Sequence, residues 1–139
     1  METNLRKKTV VYIDMVADLF HYGHVNILMR ARDLGDVLKV GIHSDETVAS
    51  YKRVPILTMQ ERIEVVNACK FVDCVIPDAP LKVTKEYLKH HDIDLVVLGD
   101  TISEENKNIM YGEIIDKIRL LPYTTSISTT QIIKRVRSR

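Results

Sequence analysis

The chain of 139 residues contains no tryptophan, two cysteines, five glycines and four prolines, and its aromatic residues amount to 6%. Cys69 and Cys74 lack the C-x-x-C spacing of a zinc pair, and two cysteines do not make a disulfide framework. No internal repeat or low-complexity stretch divides the sequence. These absences predict one domain over residues 1–139 in a reducing, cytoplasmic setting.

Excess charge and long hydrophobic runs are also missing. Twenty Lys and Arg side chains against 19 Asp and Glu give a net charge of +1, which supplies no bulk attraction for nucleic acid or anionic lipid. No apolar stretch is long enough to cross a bilayer, and no signal peptide is present. Residues 1–8 are polar and predicted to be loose. We expect neither nucleic acid nor membrane insertion among the partners.

Hydrophobic periodicity predicts strands that alternate with helices. The predicted strands cover 9–13, 37–42, 71–76, 94–98 and 118–121. The helices begin near 22, 45, 58, 84, 109 and 128. This alternation is typical of an α/β fold in three layers, with a five-stranded parallel sheet covered by helices on both faces.

Local signals set several boundaries. Thr58 and Glu61 have the spacing of a capping box, and Gly35 suits the position that ends the first helix. Pro55 excludes helix immediately before it. The polar run 101–108 is predicted to be a loop that leads into the fifth helix.

The segment His21-Tyr22-Gly23-His24 joins the first strand to the first helix. A helix start presents free N–H groups, which bind anions. Two imidazoles at that point are interpreted as donors to a triphosphate. A metal site would need further ligands, and no other Cys or His lies within helical reach.

Other polar residues follow strand ends or begin helices, where parallel α/β sheets bind their ligands. The loops that follow this rule are 14–24, 99–101 and 123–130. Ser128, Thr129 and Thr130 open the last helix, where simple capping would also account for them. Lys52 and Arg53 are adjacent loop cations that could neutralise a phosphate. Asp18 is interpreted as a loop organiser, Asp14 as a strand-end carboxylate and Arg62 as an ion-pair partner.

Three segments taken together resemble the cytidylyltransferase family. They are Asp18-Leu19-Phe20-His21-Tyr22-Gly23-His24, Glu61-Arg62 and Ile127-Ser128-Thr129-Thr130, and the resemblance extends from about Val10 to Val136. It implies a Rossmann-like sheet, a homodimer, and the use of CTP with Mg²⁺ carried by the nucleotide rather than held by the protein.

The resemblance also implies roles for individual residues. His21, His24 and Lys52 would be catalytic, and Lys52 and Arg53 would bind the substrate. The implied nucleotide-binding residues are Val16, Ala17, Asp18, His21, His24, Gly99, Asp100, Tyr123, Thr124, Ile127, Ser128, Thr129 and Thr130.

The chain departs from the family pattern at four positions. Tyr123 replaces a common arginine and Ser126 a glycine, while Met15 stands where many members have glycine and Ala17 where an aromatic residue is usual. The Tyr123-Thr124 pair resembles cytidylyltransferase domains found with phosphonate-biosynthesis enzymes. We interpret the chain as an active subfamily member, with Arg53 replacing part of the lost charge.

The expected reaction transfers CMP from CTP to a small phospho-alcohol resembling ethanolamine phosphate and releases pyrophosphate. Aminoethyl or hydroxyethyl phosphonate and glycerol 3-phosphate are further candidate acceptors. With no tryptophan and few aromatics, no cage for a quaternary ammonium is evident, which disfavours choline phosphate. Two different functions stay compatible with the sequence, namely an adenylyltransferase that uses ATP and a non-catalytic nucleotide-binding module.

Overall fold

The computed structural model describes residues 7–139. The predicted loose start therefore lies, up to residue 6, outside the described part of the chain. Within residues 7–139, no helix is both long and apolar enough to cross a membrane.

The centre of the fold is a five-stranded sheet in the order β3-β2-β1-β4-β5. Every neighbouring pair is parallel, which confirms the predicted α/β class. The strand order reverses between β1 and β4, and the carboxyl ends of these strands are where such a sheet binds ligands. The strands are β1 (Val10–Met15), β2 (Val37–Ile42), β3 (Cys74–Ile76), β4 (Leu95–Gly99) and β5 (Ile118–Leu121).

The helices begin where polar side chains cap them. Hydroxyls of Ser44, Thr58, Thr84, Ser103 and Ser128 each accept an N–H of the first turn, which satisfies a donor that has no partner inside the helix. The helices are α1 (Tyr22–Arg32), α2 (Asp45–Ala49), α3 (Met59–Asn67), α4 (Lys85–His90), α5 (Glu104–Tyr111), a 3₁₀ helix (Gly112–Lys117) and α6 (Thr129–Arg137).

Two hydrophobic clusters pack against the sheet. Val11 and Ile13 of β1 belong to one cluster, together with Leu28 of α1 and Val66 of α3. Tyr12 belongs to the other, with residues of α4 and α5. Successive strand residues point to opposite faces, so this partition confirms helices on both sides. Every residue of α6 is exposed or half-buried.

The third strand is shorter than predicted, because 71–73 form a turn rather than strand. The N–H of Val72 donates to the carbonyl of Cys69. Asp73 then pairs with Leu38 through its backbone N–H and its carboxylate. Phe71 and Val72 still pack against the core, which explains the hydrophobic run that suggested a strand.

The prediction of a loop over 101–108 was wrong, since α5 begins at Glu104. Ser103 caps its first turn, and Glu104 and Glu105 lie in that turn, where carboxylates interact favourably with the helix dipole. Most residues of this stretch are exposed, so no apolar periodicity marks the helix.

The predicted role of Gly35 at the end of α1 was also wrong. Asp33 caps the helix, and no described glycine has a positive φ. A Cβ at Gly35 would lie 2.8 Å from the carbonyl oxygen of Thr9 and 2.7 Å from a methyl of Val11. Gly35 is therefore required for close approach of the chain to β1.

Candidate active site

The loop after β1 has an unusual backbone that turns one carboxylate inward. Ala17 and Leu19 have φ values of 58° and 48°, a conformation that non-glycine residues rarely adopt. Asp18 lies between them and is 3% exposed. Such strain persists only where surrounding contacts hold it, and it concentrates at functional sites.

The Asp18 carboxylate organises the loop before α3. It accepts N–H groups of Ile56 and Leu57 at 2.8 and 2.9 Å, and the Arg53 guanidinium lies 3.3 Å away. The interpretation of Asp18 as a loop organiser agrees with these contacts. Since Arg53 is paired here, its positive charge is partly compensated before any ligand binds.

His21 and His24 themselves form the cap of α1. The Gly23 N–H donates to Nδ1 of His21, and the His21 N–H donates to Nδ1 of His24, both at 3.1 Å. A ring nitrogen that accepts a hydrogen bond carries no proton. In each neutral imidazole the proton is therefore on Nε2, where it is available for donation.

The environment keeps both rings neutral. Burial, reinforced by His21 and Lys52, lowers the pKa of His24 to about 4, and burial also lowers the pKa of His21. The ring centroids are 4.0 Å apart, a spacing that two imidazolium ions would oppose by repulsion. At neutral pH the site presents two neutral N–H donors.

The start of α6 meets the start of α1. The Thr129 hydroxyl donates to the carbonyl of Asp18 at 2.9 Å, and its oxygen lies 3.4 Å from Nε2 of His21. Ser128 caps α6 by accepting the N–H of Gln131. The structure thus brings together the two helix starts that the sequence singled out, and the positive ends of both helix dipoles suit an anion.

Lys52 belongs to the same neighbourhood. Its charge contributes to the lowered pKa of His24, so its ammonium group lies within electrostatic reach of that ring. Burial, and then Arg53, lower the pKa of Lys52 itself. An anion bound beside Lys52 would stabilise its charged form, because it would offset the burial of the ammonium group and the repulsion from Arg53.

Arg62 ties three segments together behind the site. It is fully buried and donates to the carbonyls of Val16 and Leu57 at 2.7 and 3.1 Å, and its second terminal nitrogen pairs with Asp45 at 2.7 Å. The sequence suggested an ion pair, and the structure identifies it as one between elements. Val16 contributes to this network through its carbonyl.

The segment between β5 and α6 is fixed by α1 and by the end of β4. The Tyr123 N–H donates to Asp100 at 3.2 Å, and Thr124 accepts from Asn26 at 2.8 Å. The hydroxyls of Tyr22 and Ser126 are hydrogen-bonded. Ile127 lies against Gly23, and Gly99 lies beneath the Tyr123 ring.

Asp14 lies inside an aromatic neighbourhood that the sequence did not reveal. The Tyr111 hydroxyl donates to both of its carboxylate oxygens, at 2.8 and 3.0 Å. Burial raises the pKa of Asp14, opposed by His43 and by the Tyr111 hydrogen bond. Burial and then the Asp14 charge raise the pKa of Tyr51 and Tyr123. Tyr51 and Tyr111 carry no motif, and only their convergence in the fold marks them.

Comparison with known proteins identifies the family. Residues 16–135 match the family model described as cytidylyltransferase-like. An ethanolamine-phosphate cytidylyltransferase of Dictyostelium discoideum is 41% identical over 98% of this chain and 39% of its own length. The enzyme of that name from Mus musculus is 38% identical over 91% of this chain and 32% of its own length. A choline-phosphate cytidylyltransferase A of Mus musculus is 37% identical over 91% of this chain and 36% of its own length.

The chain thus spans well under half the length of these curated relatives. Solved structures support the fold. A lipopolysaccharide core biosynthesis protein from Thermoplasma volcanium has a TM-score of 0.68 at 21% identity, covering 85% of this chain and 98% of that one. A pantoate-beta-alanine ligase from Francisella tularensis has a TM-score of 0.57 at 12% identity, covering 96% and 71%. Because the family match extends over most of its residues, the chain belongs to the cytidylyltransferase-like family.

Proposed function

We propose that this chain transfers CMP from CTP to ethanolamine phosphate, forming CDP-ethanolamine and releasing pyrophosphate. Its similarity to proteins named ethanolamine-phosphate cytidylyltransferase, at 34–41% identity, supports this choice of reaction. The observation that carries the proposal is the pair of neutral imidazoles with protonated Nε2 atoms, beside the start of a second helix.

The reaction needs positioning and charge stabilisation more than proton removal. A phosphate oxygen of the acceptor is already ionised, so it attacks the α-phosphorus of CTP without a general base. The bond from that phosphorus to the bridging oxygen breaks, and pyrophosphate leaves in line. His21 and His24 would donate to the phosphate oxygens as charge develops on them, and Lys52 would offset charge on the leaving group.

Binding roles follow from position. The backbone around Asp18 and the starts of α1 and α6 would surround the triphosphate of CTP. Arg53 would assist from the loop that Asp18 holds. The remaining nucleotide contacts are proposed for Val16, Ala17, Gly99, Asp100, Tyr123, Thr124, Ile127, Ser128, Thr129 and Thr130.

Asp14 favours an acceptor that carries an amine. Its carboxylate is desolvated, and an ammonium ion would restore a favourable environment for its charged form. Tyr111 fixes that carboxylate at the carboxyl end of β1. Glycerol 3-phosphate has no positive group to place there.

Mg²⁺ enters the proposal as part of the nucleotide substrate. Among residues 7–139, no three His, Cys, Asp or Glu side chains are grouped so that they could hold a metal ion. The donors around His21 and Lys52 are N–H and ammonium groups, which suit phosphate oxygens and not a cation. We therefore assign Mg²⁺ to the phosphates of CTP.

A product assay tests the proposal. The purified chain is incubated with CTP or ATP, Mg²⁺ and one acceptor at a time, and pyrophosphate and the cytidine- or adenosine-linked product are measured. The acceptors are ethanolamine phosphate, choline phosphate, glycerol 3-phosphate, 2-aminoethylphosphonate and 2-hydroxyethylphosphonate. We expect the highest kcat/KM with CTP and ethanolamine phosphate.

Different results of this assay would point to different functions. A preference for a phosphonate would transfer the assignment to phosphonate cytidylylation, and a preference for ATP would make the chain an adenylyltransferase. Tight CTP binding without turnover of any acceptor would identify a binding module. The homodimer implied by family resemblance stays a prediction, and sedimentation equilibrium measures it.

A further inference from the structure

The loop that precedes α6 (residues 122–128) is attached to the start of α1 by two side-chain hydrogen bonds. The hydroxyls of Tyr22 and Ser126 are bonded to each other, and the Asn26 amide donates to the Thr124 hydroxyl at 2.8 Å. Helical residues four positions apart lie on the same side of the helix. Both bonds therefore hold the loop along one side of α1.

Close packing accompanies these bonds. A Cβ at Gly23 would lie 3.3 Å from a methyl of Ile127, which is tighter than ordinary van der Waals contact. The loop thus lies directly against the first turn of α1, and that turn contains both imidazoles, since His21 caps it and His24 is its third residue. Displacing the loop would change the position of α6 relative to the two rings.

The start of α6 depends on such contacts, because the helix has little packing of its own. None of its nine residues is fully buried. Thr129 links it to the carbonyl of Asp18 and lies 3.4 Å from Nε2 of His21. Only two residues separate Ser126 from Thr129, and a chain of this length spans at most about 11 Å. The bond between Tyr22 and Ser126 therefore restricts where α6 can begin.

Ser126 is also one of the positions at which the chain departs from the pattern of the resembling family, where glycine is common. Glycine has no hydroxyl, and its backbone adopts more conformations than that of any other residue. Serine supplies the partner for Tyr22 and narrows the conformations open to the loop. The departure adds a contact at a point where the packing of α6 contributes little.

We infer that Tyr22 and Ser126 are positioning residues for the triphosphate of CTP. Their hydrogen bond holds the loop so that the start of α6 lies beside His21 before the nucleotide arrives, and neither side chain needs to touch the ligand. A site that is ordered in advance binds more tightly, because the cost of ordering does not reduce the binding free energy. The inference rests on the proposed function and deepens it by adding two residues that act through the placement of α6.

The test is a double-mutant cycle that is measured by CTP binding. Ser126→Ala and Tyr22→Phe each remove one hydroxyl of the pair, and the double variant removes both. Isothermal titration calorimetry gives the dissociation constant of CTP with Mg²⁺, and KM for ethanolamine phosphate and the urea midpoint are measured beside it. Ser126→Thr keeps the hydroxyl and is the conservative variant. Thr125→Ala, at an exposed position in the same loop, is the matched control.

We expect Ser126→Ala and Tyr22→Phe each to raise the dissociation constant of CTP by roughly 2- to 10-fold, the effect of one hydrogen bond. The double variant should bind no more weakly than either single variant, because all three lose the same bond. KM for ethanolamine phosphate and the urea midpoint should stay at wild-type values, since Tyr22 and Ser126 are both exposed. Ser126→Thr and Thr125→Ala should bind CTP as wild type does.

Three results would overturn the inference. They are unchanged CTP binding in either single variant, effects that add in the double variant, and weaker binding that is matched by a lower urea midpoint, which would make the pair a support of the fold.

The proposed function is tested separately, because CTP binding is measured without turnover. Wild type that binds CTP and forms no CDP-ethanolamine would refute the proposed function, and the binding comparison would still decide the inference. Absence of CTP binding by wild type would refute both.

Discussion

At the scale of single residues, each of the two histidines caps α1 with one ring nitrogen and would serve the proposed reaction with the other. Nδ1 of each accepts a backbone N–H and caps α1, and this leaves Nε2 with the proton. In an ordinary capping box, a hydroxyl and a carboxylate do the structural part alone. Here the same hydrogen bonds that begin the helix also select the tautomer that donates.

Replacing either histidine should abolish most of the activity. His21→Ala and His24→Ala each remove one donor to developing charge, and we expect kcat to fall by roughly 10²–10³. Single-turnover formation of CDP-ethanolamine measures the effect. His90→Ala, at the exposed end of α4, is the control and should keep wild-type kcat. Wild-type turnover by the His21 or His24 variant would contradict the assignment.

Because the pKa of His24 is lowered on folding, the free energy of unfolding depends on pH within a defined range. The ordinary value is 6.5 and burial lowers it to about 4 in the folded chain. Between these values the unfolded chain binds a proton that the folded chain does not, so stability falls as pH decreases from 6.5 to about 4.

Urea unfolding at several pH values measures this loss. His24→Gln should make the dependence shallower across that range, because glutamine can cap the helix from the same position without titrating. An unchanged slope in the variant would mean that other groups cause the acid sensitivity.

At the scale of elements, some glycines are required because a side chain would not fit, and others are not. Gly35→Ala should destabilise the fold by about 1–3 kcal/mol, since its Cβ would overlap backbone and side-chain atoms at the start of β1. Gly112 is the internal comparison, because a Cβ there meets nothing within 4 Å. Gly112→Ala, at a helical φ of −59°, should stabilise by roughly 0.4–1 kcal/mol.

Thermal and urea unfolding of both variants measure these stability changes. Equal effects of the two substitutions would show that backbone entropy, and not close approach, determines the outcome at Gly35.

Elements whose start or end has a local cause could be predicted from the sequence. The bounds of β2 and β5 and the caps at Thr58 and Ser128 agree with prediction, since hydrophobic runs and capping residues lie within a few positions of the boundary. The start of α5 was missed although Ser103 caps it, because its first turns are polar and mostly exposed, and only Met110 and Tyr111 at its end pack against the core.

At the scale of the whole molecule, one buried guanidinium, that of Arg62, joins three segments. They are the loop after β1, the helix α2, and the loop that precedes α3. Lysine has the charge but not the fork of donors. We expect Arg62→Lys to cost about 1.5–3 kcal/mol of unfolding free energy, because buried carbonyls lose their donors. Arg30→Lys, on an exposed part of α1, is the control for urea unfolding and should be neutral. A neutral Arg62→Lys would mean that the network is replaceable.

The candidate site could be predicted only in part, because some of its residues lie in short motifs and others are far apart in the sequence. His21, His24 and the start of α6 belong to short motifs whose chemistry is readable along the chain. The tyrosines around Asp14 come from positions 51, 111 and 123, which only the assembled sheet and its loops bring together. Low aromatic content therefore did not prevent a local concentration of aromatic side chains.

The weak burial of α6 has a consequence for how the nucleotide is held. One of the two helix starts at the proposed anion site belongs to α6, which is anchored at its first turn through Thr129 and buries none of its nine residues fully. Helices with little buried surface open at low free-energy cost, far below that of global unfolding. Part of the binding free energy of CTP would then be used to keep α6 docked, and the apparent affinity would equal that of the docked state multiplied by the fraction of molecules in which α6 is docked. Amide hydrogen exchange in α6 should therefore slow with CTP concentration, so that this helix reports occupancy of the site.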